Sequence, residues 1–234
     1  MSNSFQFKQF AVNQTDVAMK VGTDGVLLGA WVDVAAVERV LDIGTGTGVI
    51  ALMMAQRSES QTIVGVDIDP QAAQCAAKNF IDSPWSDRLQ AIHTSVQEYE
   101  GGTFDLVISN PPYFTNSLLC PDSSRTTARH TTSLSFEDLD SAVCKMVDKE
   151  HGRFALILPT EQMERFLEIT NLKVVRRCDV RSKAGGKVIR VMAELAFAER
   201  EQNVVCENLI IYADSGREYT EQYRALTKDF YLKF

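Results

Sequence analysis

From residue 39 onward the apolar positions fall into short continuous runs separated by amphipathic stretches. Arg39–Ile43, Thr62–Asp67, Leu89–His93, Phe104–Ser109 and Arg153–Leu158 are five or six residues long and mostly aliphatic, as buried strands are. The segments between them carry helix ends. Asp69-Pro70 opens QAAQCAAKNF with an acid at the N-cap and proline at the first helical position. Ser135-Phe136-Glu137-Asp138 is a capping box with Asp where Glu is preferred. Leu139, Val143 and Met146 follow on one face, and Gly152 is the expected stop. Thr160 begins a further helix, TEQMERFLEIT. Strand alternating with helix predicts an α/β domain built on a parallel sheet. After Asn171 the pattern changes. Lys173–Val180 and Arg190–Ala198 read as two strands joined through Gly185-Gly186, hence an antiparallel pair. Thr23–Val32 reads as a short helix capped by Thr23 or Asp24. Near the end, Tyr223, Leu226 and Phe230 stand at helical spacing.

Length and composition narrow this further. A chain of 234 residues with 45% hydrophobic and 24% charged residues has one core's worth of material, so residues 1–234 are expected to be a single domain. Its parts are an extension over residues 1–38, a core over 39–200 and a second extension over 201–234. No stretch approaches the ~18 apolar residues of a membrane span. The start, MSNSFQFKQF, lacks the charged and apolar regions of a signal peptide, so a cytoplasmic location is expected. Cys75, Cys120, Cys144, Cys178 and Cys206 make no C-x-x-C pair, and His93, His130 and His151 are equally scattered. Neither a disulfide framework nor a metal site is expected.

The formal charge of −7 disfavours indiscriminate binding to nucleic acid, but it is unevenly spread. Lys173, Arg176, Arg177, Arg181, Lys183, Lys187 and Arg190 face a single acid, Asp179, across Lys173–Arg190. That segment is net +6 and leaves −13 for the rest. It reads equally as a solvated hairpin rim and as a phosphate-binding surface.

The chemistry gathers where strands end. Leu41-Asp42-Ile43-Gly44-Thr45-Gly46-Thr47-Gly48 joins the first core strand to a helix. Its glycines let the backbone turn sharply and let a ligand approach without a Cβ in the way. A dinucleotide fingerprint, G-x-G-x-x-G, needs glycine at position 49; this chain has Val49 there and its third glycine at 48. Asp42 would repel a pyrophosphate and attract a ligand bearing an ammonium and a sulfonium. Asp67, ending VGVD, is suited to accept hydrogen bonds from ribose hydroxyls, since Asp69 already serves as the helix cap. The fourth core strand ends in Ser109-Asn110-Pro111-Pro112-Tyr113-Phe114, where two prolines stop the ladder and leave an amide at the strand's edge.

D-x-G-x-G-x-G after a strand, an acid ending the next and N-P-P-Y ending the fourth together resemble the class I, Rossmann-like S-adenosylmethionine-dependent methyltransferases that modify amino groups. The resemblance covers nearly all of residues 20–200. It implies a Rossmann-like fold, a seven-stranded mostly parallel sheet with one antiparallel strand and helices on both faces. It also implies S-adenosylmethionine as cofactor, held by Asp42, Gly44, Gly46, Gly48, Asp67, Ile68, Ser95 and Val96. The family often has an acid on the adenine amino group where this chain has Ser95, and a hydroxyl grips more weakly than a carboxylate. FKQFAVNQTDVAMKVGTDGVLLGAWV, ARHTTSLSFEDL and YTEQYRALTKDFYLKF narrow the resemblance to the bacterial tRNA1(Val) N6-adenine methyltransferases. That implies a target in a tRNA anticodon loop, position 37, and places Lys20 to Gly25 beside the cofactor's methionine end, with Thr23 and Asp24 as contacts.

An exocyclic amine conjugated to a ring is a poor nucleophile because its lone pair is delocalised. Asn110 Oδ1 and the Pro111 carbonyl are suited to accept its two N–H bonds and aim the lone pair at a methyl carbon. Pro111 and Pro112 supply rigidity, and Tyr113 supplies a face for stacking. Arg125, Arg129 and His130 beyond the motif, and Arg181, Lys183 and Lys187 in the basic run, are the candidates for RNA phosphates, the first three reading equally as a solvated loop when the resemblance is set aside. The same N-P-P-Y chemistry also serves glutamine amide methylation of proteins. A binding module with a decayed site, and a nicotinamide dehydrogenase disfavoured by Val49, are the remaining alternatives.

Overall fold

Residues 4–15, 17–112, 134–197, 203–213, 215–216 and 218–233 are described by the computed structural model of the chain. A two-stranded hairpin, β1 (Ser4–Gln6) and β2 (Ala11–Asn13), precedes α1 (Thr23–Trp31). The core then runs β3 (Arg39–Ile43), α2 (Val49–Arg57), β4 (Thr62–Asp67), α3 (Pro70–Ile81), β5 (Leu89–His93) and β6 (Leu106–Ser109). It continues through α4 (Phe136–Met146), β7 (Arg153–Leu158), α5 (Thr160–Ile169), β8 (Lys173–Arg181) and β9 (Val188–Ala196), and ends with β10 (Val205–Ile210) and α6 (Glu221–Thr227).

The main sheet has the order β10-β8-β9-β7-β6-β3-β4-β5. Only β9 opposes the rest, pairing antiparallel with both β7 and β8. The Rossmann-like architecture with one antiparallel strand is therefore as expected, but the sheet has eight strands rather than seven. The addition is β10, which pairs parallel with β8 at the sheet's edge. Its sequence, VCENLI, carries no clean alternation, so only the open edge of β8 defines it as a strand.

The inner strands read as unbroken apolar runs because both faces are covered. Val40, Ile63, Leu106 and Ile108 pack toward Leu27, Leu52 and Met53 of α1 and α2 and Phe80 of α3. Leu41, Val64, Val66 and Val107 pack toward Leu139, Val143 and Met146 of α4 and Met163 and Phe166 of α5. Burying a side chain of this size stabilises by about 1.5–3 kcal/mol, which makes these two layers the rigid support for everything at the strand ends.

Four local expectations need correction. Gly22, extended at φ −122° and ψ 164°, caps α1 in place of Thr23 or Asp24, and its end has no side-chain cap among the described residues. Asp24 is occupied elsewhere, its Oδ2 lying 2.7 Å from Arg190 Nε. The helix α4 stops at Met146, well short of Gly152, because Phe104 N donates to Met146 O at 2.7 Å and Asp148 N to Phe104 O at 2.9 Å. Val147 thereby bridges to Phe104, which has left the strand expected to contain it. Phe230 is buried beyond the end of α6, held by a turn in which its N–H donates to Thr227 O at 3.0 Å.

Candidate active site

The chain steps outward from β3 to β4 and β5, then returns to the other side of β3 as β6. That reversal opens a crevice at the strands' carboxyl ends, where open α/β sheets bind ligands. A cavity of about 280 Å³ lies there, lined by the Gly44–Thr47 turn, Asp67–Asp69, Thr94–Gln97, Asn110 and Pro112. The N-terminal segment completes the wall with Val17–Lys20, Gly22 and Gly25.

The turn after β3 is stitched to β4. Gly44 N and Thr45 N donate to Val66 O at 2.9 and 3.0 Å, and Gly46 N donates to Asp67 Oδ2 at 2.8 Å. Gly44 has φ +69° and Gly46 φ +57°, in the left-handed region that disfavours a Cβ. A Cβ on Gly44 meets no atom of the described residues within 4 Å, so the turn is an open cradle that such a carbon would partly fill. Gly48 serves another purpose. At φ +81° a Cβ there would lie 2.4 Å from Phe80 Cε1, so this glycine lets α2 start against α3, and it does not line the cavity.

Asp42 does not line the cavity either. Strand alternation turns it, with Val40, toward α2, where it is fully buried under the turn. Its Oδ2 accepts a hydrogen bond from Thr45 Oγ1 at 2.7 Å, and the Ala51 N–H also faces the carboxylate, both favouring its charged form. Burial pushes its pKa up to about 7, with the charge of Asp67 acting in the same direction. Gly65 pairs with Asp42 across the sheet, and a Cβ there would sit 2.6 Å from Thr45 Oγ1. The bare strand position is what lets Thr45 fold back under the turn.

Asp67 lines the cavity. Its Oδ2 accepts from Gly46 N and its Oδ1 from Asp69 N at 2.9 Å, which fixes the carboxylate while leaving each oxygen a lone pair. Burial raises its pKa and those two N–H groups oppose the rise. Asp69 caps α3 through Gln71 N at 2.9 Å. Ile68, 50% exposed, lies at the cavity rim, and its carbonyl is 3.1 Å from His93 Nε2. Ser95 and Val96 line the same wall. The Ser95 hydroxyl donates to Glu98 Oε2 at 3.0 Å.

At the end of β6, Ser109 Oγ donates to Ile43 O at 2.9 Å and holds that end level with the glycine turn. Asn110 follows, facing α1. A Cβ on Gly25 would be 3.8 Å from Asn110 Nδ2 and 3.6 Å from Val49 Cγ1. Pro111 is buried, and Pro112 is exposed on the cavity wall. Tyr113, Arg125, Arg129 and His130 lie outside the described residues. Thr23 and Asp24 start α1 but are not on the wall, where Gly22 and Gly25 stand instead.

Three of the seven cations in the basic run are paired with acids. Arg176 pairs with Glu194 at 3.4 Å and Glu207 at 3.1 Å, Arg177 with Glu164 at 3.0 Å and Asp179 at 2.9 Å, and Arg190 with Asp24. Arg181 Nη1 donates to the neutral Asn208 Oδ1 at 2.5 Å. Lys183 and Lys187 stand in the loop between β8 and β9, at the same sheet edge as Asn110 because β8 and β6 run in parallel. Thr45 and Gly65 were not singled out from the sequence. They matter through close approaches across the fold, which leave no local pattern.

The family model described as methyltransferase small domain matches residues 14–122. Curated relatives align over nearly the whole chain. A Haemophilus influenzae protein named tRNA1(Val) (adenine(37)-N6)-methyltransferase is 42% identical over 98% of this chain and 99% of its own. One of the same name from Phocaeicola vulgatus is 44% identical over 97% of each. Among solved structures, an Agrobacterium tumefaciens protein described as a predicted O-methyltransferase superposes with a TM-score of 0.67 at 18% identity, over 88% of this chain and 96% of that one. At that identity the last likeness speaks for the fold.

Proposed function

The chain belongs to the tRNA1(Val) (adenine(37)-N6)-methyltransferase family, and we propose from that membership that it methylates N6 of an adenine in the anticodon loop of a tRNA, using S-adenosylmethionine. The observation that carries the reading is the convergence of Asn110, the open Gly44 cradle and the fixed carboxylate of Asp67 on one cavity.

The residues present fit the cofactor. Asp67 has lone pairs for a ribose diol, the cradle admits a group with no side chain in its way, and Val49, Val66, Ala72 and Val96 supply apolar wall for an adenosine. When bound, S-adenosylmethionine supplies a methyl group already activated by its sulfonium. The protein's task is then positioning and electrostatics rather than strong-base chemistry. Asn110 Oδ1 and the Pro111 carbonyl accept the two N–H bonds of the target amine and hold the nitrogen as it becomes tetrahedral. The adjacent proline rings restrict the acceptors' motion. Asp42, under the turn, sets the position of Thr45 and through it the shape of the cradle.

A base beside the anticodon is already unpaired, so presenting it avoids much of the few kcal/mol that extraction from a duplex costs. A small local set of cations, with Arg181, Lys183 and Lys187 as candidates, then suffices for a protein of net charge −7. The test is labelled-cofactor transfer to total tRNA and, separately, to protein acceptors, with Asn110→Ala as control. The expected result is label in tRNA adenine, a loss on the order of 10²–10³-fold in the variant, and unchanged cofactor affinity. Label in protein glutamine, or full activity without Asn110, refutes the reading.

A further inference from the structure

Two neighbouring strands carry the groups that have to meet: β3 leads into the glycine turn, and β6 leads into Asn110. Their pairing ends with Ile43 opposite Ser109. Beyond that point the two chains are held differently. Gly44 N and Thr45 N turn to Val66 O on β4, on the far side of β3, while Pro111 and Pro112 have no N–H to offer. Among the described residues, the side-chain hydrogen bond that joins the two ends is the one from Ser109 Oγ to Ile43 O, 2.9 Å long.

The peptide unit between Ile43 and Gly44 is therefore gripped from both sides, its C=O by Ser109 on β6 and its N–H by Val66 on β4. Ile43 and Gly44 both line the cavity. Ser109 is fully buried and is not on that wall, so it acts only through its neighbours. One of those neighbours is Asn110, a single peptide bond away, about 3.8 Å between Cα atoms. We infer that Ser109 is a positioning residue whose hydroxyl fixes how far Asn110 stands from the cofactor turn, and so how the target amine lines up with the methyl group. The inference rests on the methyl-transfer reading above and adds to it a residue outside the cavity.

Loss of the hydroxyl should separate binding from transfer. The turn stays pinned to β4 through the N–H groups of Gly44, Thr45 and Gly46, so the cofactor site keeps its shape. The β6 end is released, and a displacement of about 1 Å in a group that aims a lone pair can cost about 10²-fold in rate. A serine that served only to satisfy a buried carbonyl would lower stability on removal and leave the rate of the folded enzyme alone.

The experiment uses the full-length protein with Ser109→Ala, Ser109→Thr and Ser109→Cys. Single-turnover methyl transfer is measured at saturating S-adenosylmethionine and tRNA, S-adenosylhomocysteine affinity by calorimetric titration, and stability by thermal melting. Ser109→Ala should melt lower, bind S-adenosylhomocysteine within about twofold of wild type and transfer about 10–100-fold more slowly. Ser109→Thr keeps the hydroxyl and should restore transfer to within about threefold of wild type. Ser109→Cys keeps the volume with a weaker donor; it should fall between the two, and it carries the comparison should Ser109→Ala fail to fold. A lower melting temperature with an unchanged transfer rate overturns the assignment, as does Ser109→Thr as slow as Ser109→Ala. A loss of S-adenosylhomocysteine affinity as large as the loss of rate also overturns it, because Ser109 would then shape the turn rather than place Asn110. An unaltered protein that binds S-adenosylhomocysteine but transfers nothing to tRNA overturns the adenine reading, and this inference with it. Normal wild-type transfer with an indifferent Ser109→Ala overturns only the role of Ser109.

Discussion

Gly44 and Gly48 both adopt left-handed backbone, four residues apart in the same turn, yet replacing each by alanine should damage different properties. In either variant the new Cβ costs about 1–2 kcal/mol for the positive φ. At Gly44 none of the described residues lies within 4 Å of the new Cβ, so that strain is the structural penalty expected. For a chain of this size it corresponds to a fall in Tm of about 2–8 °C. At Gly48 the Cβ would meet Phe80 at 2.4 and 3.0 Å and Ala76 Cβ at 3.3 Å, and Phe80 is itself only 2% exposed, so the ring has little room to yield. Overpacking adds about 1–3 kcal/mol, for a total of about 2–5 kcal/mol and a fall of about 4–20 °C. Ligand binding should rank the other way. The Gly44→Ala methyl enters the cradle and should weaken S-adenosylhomocysteine by at least about tenfold. Gly48→Ala leaves the wall untouched and should bind within about twofold of wild type below its melting range. Differential scanning calorimetry and isothermal titration on the two variants suffice. If Gly48→Ala is no less stable than Gly44→Ala, or both bind equally poorly, then the distinction between an open and a packed glycine is wrong.

Asp42→Asn should flatten the pH dependence of stability. The carboxyl's pKa is raised in the fold to about 7 from 3.8, so the native state holds the proton more tightly. Its burial therefore costs little below about pH 4, the cost grows as pH rises toward 7, and it levels off above. The upper bound is about 4 kcal/mol. Urea unfolding at pH 4.5 and 8 should show the Asn variant gaining on wild type at the higher pH, and parallel profiles would contradict the burial argument. Charge reversal at Arg181 together with Lys183 should weaken tRNA binding and reduce the magnitude of its log–log salt slope by about 1–2 while sparing cofactor affinity. An unchanged slope in a filter-binding titration removes that surface from the RNA interface.

Local patterns along the chain were enough to define most of the sheet. β3, β4 and β7 have the bounds their apolar runs indicate, because a strand covered on both faces must be apolar throughout its length, and the half-exposed edge strand β5 also keeps its expected bounds. Asp69, Pro70 and Ser135 mark helix starts because capping is a contact between near neighbours. The glycine turn, Asp67 and Asn110 were likewise legible, since each sits where an apolar run meets residues that cannot continue it. What tertiary structure decided was which way those residues face and what meets them. Alternation along β3 sends Asp42 beneath the turn rather than into the cavity, Gly65 on the adjacent strand makes space for Thr45, and Gly48 yields to Phe80. The +6 run looked like a free basic surface until Glu164, Glu194, Glu207 and Asp24, distant in sequence, were brought against three of its arginines. Edge strand β10 exists because β8 offers it unpaired hydrogen-bonding groups. Short-range chemistry is written in neighbouring residues, whereas pairings across the fold depend on packing that no single segment encodes.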